Sequence, residues 1–300
     1  ETPVNACLTA RGERLAWAAQ KQVEYTAGIG LGPFVPARFV HGRRYASTRF
    51  AARPLARLIH FAGAPLLMPL LLARIWRRVR ERRPDWLPHF WTALPALIVF
   101  MTAWALGEAS GYLLREKYRW TFPVKEDAVG ARPSTPPQVS VGSASASGCA
   151  YLAACLAALH RQTGDVCAEI IVAGCAGAAV TAFVRQNYPR VRVNQFAQRA
   201  SIGELRRAAI LAARGDLVLI TEDHCIPAQD WLAAHLRAHR AHPRAVIGGA
   251  VENGATQRRV DRAVYLCEYS AFAAPGATAQ RMRGQDGAAP ARGLAASNVS

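Results

Sequence analysis

Four consecutive apolar residues, Leu217 to Ile220, run straight into Thr221-Glu222-Asp223-His224, with Pro227 and then Trp231-Leu232 close behind. The run is short and bounded by Arg214-Gly215-Asp216, which suits a strand buried on both faces of a parallel sheet. Ligands of open parallel sheets gather beyond the carboxyl ends of the strands, so Glu222, Asp223 and His224 are expected at a rim that a substrate can reach. Carboxylate oxygens and an imidazole nitrogen can hold a divalent cation, which in turn bridges phosphates. The plainer reading of the same acidic pair is that it caps the helix that follows.

Strand-like and helix-like stretches alternate around this run from residue 138 onward. Val139-Ser140-Val141 precedes Tyr151 to His160, where Leu152, Leu156 and Leu159 keep helical spacing. Ile170 to Ala173 precedes Ala178 to Gln186, and Val191-Arg192-Val193 precedes Ile202 to Ala213. After the strand at Leu217 come a helix from about Asp230 to His242 and the strand Val246 to Gly249. Strands separated by helices of this length predict crossover units and an α/β fold with a parallel, Rossmann-like sheet flanked by helices.

These blocks also carry a family resemblance. Val-Ser-Val, Tyr-Leu-Ala-Ala-Cys-Leu-Ala-Ala-Leu-His-Arg-Gln-Thr, Glu-Ile-Ile-Val-Ala, Tyr-Pro-Arg-Val-Arg-Val, Ala-Arg-Gly-Asp-Leu-Val-Leu-Ile-Thr-Glu-Asp-His, Asp-Trp-Leu and Val-Ile-Gly-Gly-Ala-Val occur in an order that resembles family 2 glycosyltransferases. The resemblance implies a GT-A fold over residues 138–300. It further implies a nucleotide-diphosphate sugar as donor, transfer with inversion, and Mn²⁺ or Mg²⁺ on an Asp-x-Asp motif. Counted back from Pro227, that motif falls on Glu222 and His224 as metal ligands, with Asp223 between them. Ser143, Ser145, Gly174, Arg206, Glu222 and Asp223 become the expected donor contacts. An arginine at position 206 can pair bidentately with phosphate or belong to a solvated helix face. The chain departs from the family pattern at Gly174-Cys175, where an aspartate pair is usual. It departs again at Gly142 to Gly148, where a Pro-Thr-Tyr-Asn-like turn is common. The family's catalytic base is expected beyond residue 300.

The first 125 residues are of another kind. They hold 19 of the 37 Lys and Arg but only 7 of the 20 Asp and Glu, in a chain of net charge +17. Two apolar segments lie here. Residues 61–73 are short for a span and are broken by Pro65 and Pro69, whereas residues 93–114 are about long enough to cross a bilayer. Arg74, Arg77, Arg78, Arg80, Arg82 and Arg83 lie between them, interleaved with Trp76, Trp86 and Trp91, which suits a lipid headgroup layer. Nucleic acid is the rival partner for a basic chain, but these arginines flank apolar segments and do not line a polar domain, so no nucleic acid is expected. Basic residues on every side of the segments leave the positive-inside rule without a vote, and a hairpin or two interfacial segments is the expected arrangement. Glu108, near the end of the second segment, is expected to reach the headgroups.

Taken in order, residues 1–57 read as a basic helical region, 58–122 as membrane-associated, 123–137 as a Pro/Ser/Thr-rich linker, and 138–300 as the start of the α/β domain. His41 to Ala46 and the stretch from Leu94 to Tyr112 also resemble the carboxyl-terminal tail of some bacterial membrane members of the same family. That resemblance implies a fragment joining the end of one unit to the start of a second. Seven cysteines without zinc spacing fit reduced core residues, and His235, His239 and His242 read as a solvated helix face. The expected function is transfer of a sugar to a cell-envelope polysaccharide or glycolipid at the cytosolic face of the inner membrane, with membrane lipids as further partners. The alternative class is a non-catalytic, glycosyltransferase-like scaffold.

Overall fold

The computed structural model describes residues 8–49, 54–114, 136–146, 148–163, 166–174, 177–196, 200–274, 289–290 and 298–299. All but residues 136 and 137 of the expected linker, together with Cys7, Ser147 and Cys175, lie outside the described residues. The chain divides into two compact units. One comprises Glu1–Ala27, Phe122–Gly254 and Gly284–Ser300, and the other Gly28–Thr121 and Ala255–Arg283.

The first unit is α/β, as the alternation predicts. Its strands β2 (Val139–Ser145), β3 (Ala168–Gly174), β4 (Arg192–Gln195) and β5 (Leu217–Glu222) form a parallel sheet in the order β4-β3-β2-β5. The chain steps outward from β2 to β4 and then returns to lay β5 against the other side of β2. Between the carboxyl ends of β2 and β5 lies the reversal point at which open sheets part to admit ligands. Every residue of β2 is buried, as its two-sided packing requires. The helix from Ile202 to Ala212 starts with Ser201 and Glu204 in a reciprocal capping box. It lays Leu205, Ala208, Ala209 and Ala212 against the sheet.

Residues 1–57 do not form a helical region throughout, as the sequence reading expects. Arg14–Tyr25 is a strand, β1, parallel to β7 (Ala245–Asn253) and antiparallel to β6 (Cys225–Pro227) and β8 (Ala289–Pro290). Its burial alternates along the chain. Lys21, Val23 and Tyr25 are buried while Gln22 is only partly covered and Glu24 is exposed, a period of two that no helix satisfies. Val299 bridges β5 and β7 through Ile220 and Gly248 and joins both sets of strands.

β1 also buries a lysine. Lys21 is only 1% exposed, and its Nζ lies 3.2 Å from His235 Nδ1. His235 is itself fully buried, so it does not belong to a solvated histidine face. Its Nε2 faces Asn298 Oδ1, which also accepts from Trp231 Nε1, while Asn298 Nδ2 donates to the carbonyls of Lys21 and Ala250. Burial lowers the Lys21 ammonium to about 7 from its ordinary 10.5. Between those values the unfolded chain holds a proton that the folded chain has lost, so Lys21 makes stability rise with pH. Lys21→Met should stabilise the protein most at pH 7 and below. In thermal melts that advantage should shrink steadily toward pH 10.5.

The second unit is helical, with α1 (Leu31–Thr48), α2 (Pro54–Ala62), α3 (Ala64–Arg82), α4 (Leu87–Leu113) and a helix over Arg259–Tyr269. This last helix falls in the second unit, although the sequence reading assigns it to the α/β domain. Arg38 explains the grouping, because its guanidinium pairs with Glu268 at 2.5 Å and lies 4.3 Å over the Trp104 ring. Helices α1 and α4 touch backbone to backbone. A Cβ on Gly107 would collide with the Phe39 carbonyl, one on Gly42 with that of Trp104, and one on Gly111 with that of Arg43. Close crossings over small residues are how helices pack where hydrophobic collapse contributes little. Glu108 does not reach outward. It is buried and accepts from Trp104 Nε1 and the Tyr112 hydroxyl, both at 2.8 Å.

Helix α4 with the short turn before it, Pro84–Leu113, is long and apolar enough to cross a membrane, and α2 and α3 meet at a bend of 70°. Large apolar side chains stand exposed on all three helices, including Leu55, Leu58, Leu66, Leu70, Ile98 and Leu106. Gly107→Leu should cost about 1–3 kcal/mol by forcing α1 and α4 apart. Circular dichroism melts in detergent would register it as a lowered midpoint.

Candidate functional site

The polar residues that sequence reasoning singled out converge where β2 and β5 end. Ala144 is in register with Glu222, and the backbone N–H of Asp223 donates to the Ala144 carbonyl at 3.1 Å. Asp223 therefore lies across from Ser145 and Ala146. Its Oδ2 accepts from the Ser145 hydroxyl and the Ala146 N–H, each at 3.0 Å. Its Oδ1 lies 3.0 Å from His224 Nδ1. The other ring nitrogen, His224 Nε2, lies 2.9 Å from Glu222 Oε2, and Glu222 Oε1 accepts from the Arg206 guanidinium. Arg206 follows the buried Leu205 on the capped helix, and that position brings its side chain to the edge of β5.

The electrostatics follow from this wiring. Burial alone would raise the Glu222 carboxyl, but Arg206 and His224 outweigh it and hold the group well below the usual carboxylate range. Burial likewise opposes charge on His224, yet its hydrogen bonds to Asp223 and Glu222 lift the imidazole to about 10. At neutral pH the Glu222 carboxylate thus faces an imidazolium and a guanidinium.

Of the expected donor contacts, Ser145, Arg206, Glu222 and Asp223 come together with His224. Ser143 does not join them. It is fully buried two residues below the strand end, beside the Cys155 thiol. Gly174 ends β3 in register with Ser145, and its carbonyl accepts from Phe196 N–H. Glu222 and Asp223 do not project into an open rim as expected. They are covered because the partners that bind them also shield them. Cys225 is fully buried, and burial pushes its thiol well up.

Glu222 and His224, the metal ligands expected from the sequence, face each other. Both ring nitrogens of His224 face carboxylates. Each carboxylate oxygen already accepts from Arg206, His224, Ser145 or Ala146. Among the described residues no group of three His, Cys, Asp or Glu could hold a metal ion.

The sequence reading missed what β1 contributes. Thr26 donates through its N–H and its hydroxyl to the His224 carbonyl, at 2.9 and 3.0 Å. The Tyr25 ring meets the imidazole edge-on at 5.2 Å. The alternation at Lys21, Val23 and Tyr25 was the available signal.

The raised His224 gives stability that is complete below pH 6.5 and is lost as pH rises through 10. Lys21 acts in the opposite direction over part of this interval, so each effect is read against its own variant. The stability gap between the wild type and His224→Gln should be widest near pH 6 and close toward pH 10 in urea titrations.

No curated protein matches the chain. Residues 147–286 match the family model for Glycosyl transferase family 2, a span just short of half the chain that contains Arg206 and the whole Glu222–His224 cluster.

Proposed function

We propose that the protein is a glycosyltransferase that takes a sugar from a nucleotide-diphosphate donor and passes it, with inversion, to a cell-envelope polysaccharide or glycolipid. The observation that carries this reading is a coincidence of place. The family match covers the strand end at which the sheet order reverses, and the charged cluster sits at that strand end. Inversion corresponds to a single displacement. The acceptor oxygen bonds to the anomeric carbon as the bond to the diphosphate breaks, the acceptor proton leaves to a base, and charge grows on the diphosphate. Among the described residues, none is assigned as that base.

We place the activity at the cytosolic face of the inner membrane, where nucleotide sugars are available. Support comes from the apolar side chains exposed on α2, α3 and α4. The Arg80–Trp76 and Arg83–Trp86 stacks beside them, at 5.2 and 3.9 Å, suit a headgroup layer. A hairpin or interfacial seating accords with the 70° bend.

The scaffold reading also has an observation in its favour, because every carboxylate oxygen of Glu222 and Asp223 already meets a donor from the chain itself. Calorimetric titration of the full chain with uridine and guanosine diphosphate sugars separates the two. The transferase reading expects saturable binding of at least one donor with release of the sugar to an acceptor extract. Silence from every donor would favour the scaffold.

A further inference from the structure

We infer that α3 docks on a bilayer surface rich in anionic phospholipid, with Leu66 and Leu70 among the acyl chains and Arg74, Arg77 and Arg80 on the headgroup phosphates. The inference rests on the membrane placement proposed above and deepens it by naming the lipid class and the side chains that meet it.

The sequence offers six arginines between residues 74 and 83, with one glutamate among them, and does not say which of them are available. The structure sorts them. Arg82 donates to the Ala271 carbonyl, while Arg83 pairs with Asp85 and stacks on the Trp86 ring. Arg78 is partly covered. Arg57 on α2 also turns inward, onto the carbonyls of Gly111 and Tyr112. Arg74, Arg77 and Arg80 are exposed instead. Arg77 lies 3.8 Å from Glu81 with both side chains largely in solvent, and an exposed pair of that kind is too weak to keep a guanidinium from a phosphate.

The three exposed arginines continue a stripe that begins with leucines. At 3.6 residues per turn, Leu66, Leu70, Arg74, Arg77 and Arg80 fall within a sector of about 120°. The buried Ala64, Ile75 and Val79 face the opposite side of the helix. Leu66 and Leu70 are 72% and 56% exposed, so the outer face is apolar along the first half of α3 and basic along the second. The rise from Leu70 to Arg77 is about 10 Å, close to the depth of about 5–10 Å at which interfacial helices seat their apolar side. Helix α2, bent 70° from α3, adds Leu55, Leu58 and Ile59 at the apolar end. At the basic end Trp76 stacks with Arg80 at 5.2 Å, and Trp91 of α4 is exposed, as suits rings at a headgroup boundary.

A nucleic acid would satisfy the arginines and leave the leucines in water, whereas a bilayer meets both in this order. Anionic headgroups are favoured because each arginine near such a surface improves partition about fivefold.

The test mixes the full chain with vesicles of phosphatidylcholine and with vesicles in which about a third of the lipid is phosphatidylglycerol. Bound protein is read by flotation at low and at raised salt. The inference expects binding at least about tenfold tighter to the anionic vesicles, with the preference shrinking as salt rises. Combining Arg74→Gln, Arg77→Gln and Arg80→Gln should abolish the preference while the circular dichroism and the binding to phosphatidylcholine stay as in the wild type. Leu66→Ser with Leu70→Ser should weaken binding to both vesicles in the same proportion. Equal binding of the wild type to the two vesicles would overturn the inference and leave the membrane placement standing. Absence of binding to either would overturn both. Capture of a short RNA duplex where anionic vesicles capture nothing would overturn it in favour of a nucleic-acid partner. None of these outcomes bears on donor binding, which tests the transferase reading separately.

Discussion

Two adjacent carboxylates buried at the end of a strand stay ionised only when positive partners are buried with them, because desolvation of an unpaired charge costs several kcal/mol. Glu222 and Asp223 meet that condition through contributions from separate parts of the chain. The helix at Ile202–Ala212 brings Arg206, the turn after β5 brings His224, and the end of β2 brings Ser145 and Ala146. The register between β2 and β5, the capped start of the helix and the packing of Leu205 all act on the same few atoms. A shift in any one of them would leave a carboxylate uncompensated.

The same requirement is met differently elsewhere. Glu169 on β3 is covered by the Ser140 hydroxyl, the Arg192 guanidinium and the Arg214 N–H. Arg38 meets Glu268 within the helical unit, and Glu108 relies on an indole and a phenol. Among the described residues Lys21 faces the uncharged ring of His235, and burial lowers its ammonium. Charge in this protein is therefore kept where a geometric partner exists and surrendered where none does.

Much of the first unit could be read from residue order. Period and length identified β2, β3, β5 and their helices, because strands buried on both faces are written as uninterrupted apolar runs. The gathering of Ser145, Arg206, Glu222, Asp223 and His224 was also legible, since each ends or borders an element whose identity was clear. What the sequence hid was long-range. Arg14–Tyr25 has its strand partner on β7, far along the chain, and its lysine and glutamines disguise the alternation. Burial of His235 depends on Lys21 and Asn298, neither of which is near it in sequence. The orientation of the acidic pair was missed for a related reason. A motif records which groups are present but not which of them lies uppermost.

The pairing of Val23 with Val251 sets a timetable for synthesis. β1 leaves the ribosome before β6 and β7, and both of these partners are made only after the helical segments and most of the α/β layer. Until then an extended, half-apolar ribbon waits with open backbone groups, which invites pairing with the wrong neighbour. Such a nascent chain is expected to mature slowly, since a decisive contact joins Val23 to the distant Val251. Glu222, Asp223 and His224 precede β7 in the chain, so a half-made protein carries its charged cluster before β1 and β7 have closed their ladder.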